Sequence, residues 1–387
     1  MSGIVLSASV RQNLLSLQST ADLLSTTQNR LATGNKVNSA LDNPTNFFTA
    51  QSLNNRAGDI GNLLDSIGNG VQVLQAANTG ITSLQSLVDS AKSIANQVLQ
   101  APAGYTAKST STSTALVGTA SAANLVDGVG FKANQTLAFA ASGELPAFTV
   151  TFGASESLDQ LNTSLAAGGL TASITGGNLV ITTTNDYAGQ TVGTITPGST
   201  PGTTTFAAAV APVADASSLA IRSNLVSQYN NIIAQITTTA QDSSFNGINL
   251  LNGDTLKLTF NETGKSTLSI SGVTYNAAGL GLASLTSGTD FLDNNSANAQ
   301  LTKLSSASST LRTEASALGS NLSIVQIRQN FNKNLINVLQ TGSSNLTLAD
   351  TNEEAANSQA LSTRQSIAVS ALALANQSQA SVLQLLR

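Results

Sequence analysis

The side chains that could do chemistry in this chain are its carboxylates, amides and hydroxyls, because its 387 residues include no histidine, cysteine or tryptophan. Without imidazole or thiolate, the usual transition-metal sites, Cys-His nucleophilic pairs and Ser-His-Asp triads cannot be built. The adjacent carboxylates Glu353 and Glu354 follow Asp350 closely. They read as the start of a helix, where negative charge complements the helix dipole, and not as an acid-base pair. The Ser/Thr-rich centre reads as a solvated β surface ahead of a field of O-glycosylation sites. The Asn-X-Ser/Thr triplets at Asn134 and Asn162 are expected by chance in so polar a chain. No convergent set of ionisable groups is left, so neither an enzyme nor a cofactor or metal is expected.

With 41% hydrophobic residues the chain can bury cores, yet only 9% of its residues are charged and the net charge is −4. Its surface must be made of Ser, Thr, Asn, Gln and Gly. A weak acidic balance argues against nucleic acid, since phosphate binding needs clustered Lys and Arg. Residues 1–10 place no basic residue ahead of their short apolar stretch, and no uncharged run reaches the roughly 20 apolar residues of a membrane span. Neither a cleaved signal peptide nor membrane insertion is expected.

Two long helical regions flank a Gly/Ser/Thr-rich centre. Leu14, Leu17, Ala21, Leu24, Gln28 and Leu31 alternate by three and four as a coiled-coil seam does, and Gly34-Asn35 ends that helix with Arg30 near its negative end. Asn43-Pro44 then offers a cap and a preset first turn. A helix over 45–100 follows, its seam running Ala57, Ile60, Leu64, Ile67, Val71, Leu74, Asn78 and Ile81 and on to Val98. At ~1.5 Å per residue it would extend roughly 80 Å, which suits a rod.

The C-terminal half repeats the design. Leu304, Ser308, Leu311, Ala315 and Leu318 begin a seam that continues to Leu339, with Gly342-Ser343-Ser344 expected to break the helix. A last segment carries Leu361, Gln365, Ala368, Leu372, Ala375, Gln379, Val382 and Leu386. Small and polar seam residues leave the terminal pair weak alone, so it should be ordered only when something buries it. Between the arms lie a helix over 218–240 and a hairpin, in which Leu256, Leu258 and Phe260 alternate out and Leu268 and Ile270 alternate back. The insertion at 104–212 is bounded by Gly/Pro/Thr clusters and reads as ββαββ, with strands at 137–140 and 147–152, a helix at 157–167, and strands at 170–174 and 179–183.

Three motifs now carry a family resemblance. Arg30-Leu-Ala-Thr-Gly-Asn-Lys-Val-Asn-Ser-Ala-Leu-Asp42 resembles the N-terminal signature of bacterial flagellins, Phe245-Asn-Gly-Ile-Asn-Leu-Leu251 resembles the segment before their hairpin, and Ser381-Val-Leu-Gln-Leu-Leu-Arg387 resembles their C-terminus. The resemblance covers about 1–100 and 214–387. It implies a mainly α fold: a long antiparallel helical bundle or coiled coil of paired N- and C-terminal segments, with a β-hairpin and a central α+β insertion domain. Residues 1–42 with 351–387 would form an innermost helical domain, 43–103 with 213–350 a rod-like domain carrying the hairpin at 255–272, and 104–212 a variable, surface-exposed domain.

The resemblance also implies a non-enzymatic subunit that polymerises helically with itself into the extracellular flagellar filament, exported without a cleaved signal peptide. An export chaperone, a filament cap and the hook-filament junction proteins would be its partners. The polymerisation seam would comprise Leu14, Leu17, Leu24, Leu31, Leu361, Leu372, Val382 and Leu386. One departure stands out: flagellins seen by the innate Toll-like receptor carry an Arg and a Leu where Ser86 and Ser90 align here, so weak receptor activation is expected. Two other readings stay open, a hook-filament junction protein and a surface adhesin with a helical stalk. The adhesin lacks an aromatic platform, since the insertion has no Trp and only scattered rings such as Tyr105 and Tyr187.

Overall fold

The structure, a computed structural model, describes residues 8–114, 121–126, 130–198 and 204–385. The apolar stretch before residue 8 and Leu386 lie outside the described residues. The chain is mainly helical, in two compact units.

The first unit takes in Met1–Gly70, Lys257–Leu268 and Ile324–Arg387. Helix α1 (Ala8–Thr33) packs along α6 (Thr351–Leu385). Gly34, at φ 70°, supplies the left-handed residue that ends α1. Asn43 caps α2 (Pro44–Gln100), its Oδ1 accepting from the Asn46 amide at 3.0 Å with Pro44 as the first helical residue. The first turns of α2 pack on the last turns of α5 (Asn294–Thr347) through Ala57, Ile60 and Leu339.

The expected break at Gly342-Ser343-Ser344 does not occur, and α5 runs on to Thr347. Gly342 abuts the Leu53 side chain, and the buried Ser343 hydroxyl donates to the Ala50 carbonyl at 3.2 Å. Burial against α2 outweighs the ~1 kcal/mol that glycine costs inside a helix.

The hairpin is formed by β9 (Thr255–Thr259) and β10 (Thr267–Ser271). Leu256, Leu258, Phe260 and Ile270 are buried, as their alternation predicts. At its tip the Phe260 carbonyl accepts from Asn332 of α5 at 3.0 Å, and the Arg328 guanidinium lies 5.7 Å from the Phe260 ring. Gly70 of α2 makes room for Leu258: any β-carbon there would strike the leucine methyls.

The second unit takes in Val71–Leu256 and Ser269–Ser323. Helix α4 (Ala216–Asp242) turns Leu225, Val226, Tyr229, Ile233 and Ile236 inward. The insertion holds the expected β3 (Thr136–Phe139), β4 (Phe148–Thr151), α3 (Leu158–Ala166), β5 (Leu170–Thr175) and β6 (Asn178–Thr183). Ser157 and Gln160 form a reciprocal capping box at the start of α3. Gly176 and Gly177, both at positive φ, close the two-residue β5–β6 turn that only such residues allow.

Four short strands were not legible: β1 (Tyr105–Ala107), β2 (Thr110–Thr112), β7 (Ile195–Pro197) and β8 (Val213–Ala214). They complete sheets of order β2-β6-β5 and β4-β3-β7 and pair β1 with β8, around a core including Phe131, Leu137, Phe152, Leu161 and Ile181. The Asn162 amide grips edge strand β5, accepting from the Ala172 amide at 2.6 Å and donating to its carbonyl at 3.2 Å. That triplet therefore has a structural use.

Candidate self-assembly surface

The α1–α6 pair is built from a thin seam. On α6 the inward stripe is Glu354, Ser358, Leu361, Gln365, Ala368, Leu372 and Ala375, the spacing of four and three read from the sequence. On α1 the inward stripe runs through Val10, Leu17, Thr20, Leu24 and Thr27, of which Val10, Thr20 and Thr27 are buried and the two leucines half-buried. Leu14 and Leu31 lie on the outside at 40% and 39% exposure. The Val382 backbone belongs to α6, but its side chain is outside what is described.

Sequence reasoning missed Thr20 and Thr27 because a seam is sought among apolar residues. Their hydroxyls can return to the helix backbone, as the Thr20 hydroxyl does to the Ser16 carbonyl at 2.8 Å, and a threonine so satisfied can face a partner helix.

The N-terminal motif is the splice that sets this pair. Arg30, in the last turn of α1, meets Glu354, in the first turn of α6, at 3.3 Å, each charge complementing its own helix dipole. The amides of Lys36 and Val37 donate to the Thr347 carbonyl, and the Ala349 amide donates to the Gly34 carbonyl. Asp42 accepts from the backbone amides of Ser39 and Asn38, and these bonds hold its carboxyl below the usual range. At the other splice, Asp350 accepts from the Asn352 and Glu353 amides and so starts α6.

The second motif terminates α4. Asn246 and Gly247, at φ 50° and 80°, turn the chain so that Asn249 donates to the Ala240 and Gln241 carbonyls, both at 2.8 Å. Asn249 thereby satisfies carbonyls that a helix end leaves open.

Most of the exposed large hydrophobic side chains belong to the first unit. Leu15 and Leu23 lie outside on α1, and Ile367 and Leu374 outside on α6, at 64% and 70% exposure for the latter two. On α5, Ile324, Ile327, Phe331 and Val338 form an exposed row at helical spacing. Beside the exposed Phe48, an open cleft of about 430 Å³ is lined by Arg56, Asp59 and Glu262, with Arg56 and Glu262 paired at 2.7 Å. Ser86 and Ser90 are exposed on α2, their hydroxyls bonded back to Thr82 and Ser86 carbonyls. Among the described residues, no group of acidic side chains could hold a metal ion, and no helix is long and apolar enough to cross a membrane.

Paired terminal helices with a half-polar seam and apolar rows left outside are the mark of a subunit that further protein is meant to cover. Residues 5–128 match the bacterial flagellin N-terminal helical region, and residues 301–386 match the bacterial flagellin C-terminal helical region. Among curated proteins, similar chains are flagellin FljM and flagellin FljK of Caulobacter vibrioides, each 33% identical over 165 residues, and flagellin FljO, 30% identical over 165 residues. Each alignment takes in 42% of this chain and 59% of the relative, so the match spans about three-fifths of the length of these curated relatives. By its two terminal regions the chain belongs to the bacterial flagellins.

Proposed function

We propose that the chain is a flagellin subunit that polymerises helically with itself into the extracellular flagellar filament and has no enzymatic role. The observation carrying this is the set of outward apolar rows on α1, α5 and α6 of the first unit, which an isolated subunit leaves in water. Burying them against neighbouring copies would supply what the α1–α6 seam lacks. Leu14 and Leu31 would then serve the contact between subunits, while Leu17, Leu24, Leu361 and Leu372 serve the pair within one subunit. Heterologous contacts that do not close into a ring build an open helix, so one subunit type suffices for a long filament. Export without a cleaved signal peptide, a chaperone before export and a cap at the growing end belong to the same reading.

The deciding experiment is electron microscopy of the purified chain seeded with short flagellar fragments at raised precipitant salt. Long filaments of uniform diameter are expected. Soluble monomers under all conditions would overturn the reading in favour of a junction protein that occupies a boundary in few copies.

A further inference from the structure

Arg222 of α4 is the largest fully buried side chain among the described residues, at 1% exposure, and no carboxylate there comes within ion-pair distance of it. The buried Asp293 carboxylate acts on it electrostatically from beyond ion-pair distance, and a guanidinium so buried is costly unless its donors are used. They are used on backbone: Nε donates to the Pro102 carbonyl at 2.8 Å, Nη2 to the Ala101 carbonyl at 3.2 Å, and Nη1 to the Phe291 carbonyl at 2.8 Å. The first two acceptors are where the chain leaves α2 for the insertion. The third belongs to a wholly buried phenylalanine at φ 57°, a conformation that a bulky residue holds only when its surroundings compel it.

The insertion is joined by a slight neck. Strands β1 and β8 pair over three and two residues, and the Asp215 amide adds a bond to the Gly104 carbonyl at 2.8 Å. Two strands this short do not make a stiff joint alone. The exit strand runs straight into α4, so Arg222, under two turns into that helix, reaches back to the Ala101-Pro102 segment that leads from α2 into the entry strand, and so ties the two roots of the neck together. Farther out, the Asn295 amide of α5 donates to Glu144 of the β3–β4 turn at 3.0 Å.

We propose that Arg222 is a latch that makes the insertion rigid with the helices of its own unit. A load on the insertion then passes into α2, α4 and α5 instead of flexing the neck.

The test uses the monomeric full chain and does not depend on polymerisation. Because the chain has no cysteine, spin labels at Ser164→Cys on α3 and Ser309→Cys on α5 report the insertion's position without further change. The unmodified latch should give one narrow distance distribution. Arg222→Met should broaden it at least twofold and speed hydrogen exchange of the Asp215 amide by about tenfold, with exchange in the middle of α2 unchanged. Arg222→Lys keeps the charge but not the fork, so it should broaden the distribution by less. It also serves as the test if the methionine variant does not fold. A distribution as narrow as the parent's in a folded Lys or Met variant, with Asp215 exchange unaltered, would overturn the proposal. The single variant Glu144→Ala should leave most of the rigidity in place, and equal broadening from it would move the latch to that contact.

Discussion

Tyr229 is wholly buried on α4, packs edge-on against Phe291 at 5.6 Å between ring centres, and has a hydroxyl with no hydrogen-bond partner among the described residues. Burial pushes its pKa up to about 12, against the ordinary value of 10. Between these values the unfolded state gives up the proton first, so stability present below about pH 10 is lost as the pH rises towards 12. Tyr229→Phe should raise the midpoint of alkaline unfolding, followed by circular dichroism, while costing under about 1 kcal/mol at neutral pH because an unpaired buried hydroxyl goes with it. Burial also raises Tyr275, whose hydroxyl donates to Glu314 at 2.9 Å, so some alkaline loss should persist in the variant. None of this was legible in the chain, because the burial of Tyr229 and its contact with Phe291 depend on neighbours far away in sequence.

At the scale of elements, the glycines of α2 separate into two kinds. Gly58, Gly61 and Gly68 face open space, whereas a β-carbon at Gly80 would strike the side chains of Ser243 and Leu251. Gly61→Ala should therefore stabilise the monomer by about 0.5–1 kcal/mol through helix propensity. Gly80→Ala should destabilise it by about 1–3 kcal/mol through overpacking. Thermal denaturation of the two single variants compares them directly, and equal shifts would count against the packing described. The helices themselves were readable because spacing, caps and breakers are local: Asn43-Pro44 begins α2 as expected, and the α6 stripe follows its spacing from Leu361 to Ala375. Where a distant segment intervenes, local reading fails, as at Gly342, where the contact with Leu53 lies almost three hundred residues away in sequence.

For the whole molecule, removal of residues 372–387 takes away about two-fifths of α6, the helix that packs along α1. The truncated chain should fail to form filaments while the second unit keeps its cooperative unfolding, and normal filaments from it would reject the assembly surface proposed above. Ser86 and Ser90 offer no bidentate donor and no apolar anchor on the exposed face of α2. A receptor reporter assay on the parent chain should register weak activation, and potent signalling would refute that expectation.

What the sequence determined by itself is the order of the long helices, the polar character of the terminal seams and the presence of a hairpin and an α+β insertion, because each rests on spacing and turn chemistry within some ten residues. It also carried the three motifs that point to the family. Only the tertiary structure decided that Thr20 and Thr27 turn inward while Leu14 and Leu31 turn out, that β1 pairs with β8 across the whole insertion, and that Arg222 spends its donors on backbone carbonyls. Each of these depends on which distant segment arrives beside the residue, and a periodic pattern holds no record of that.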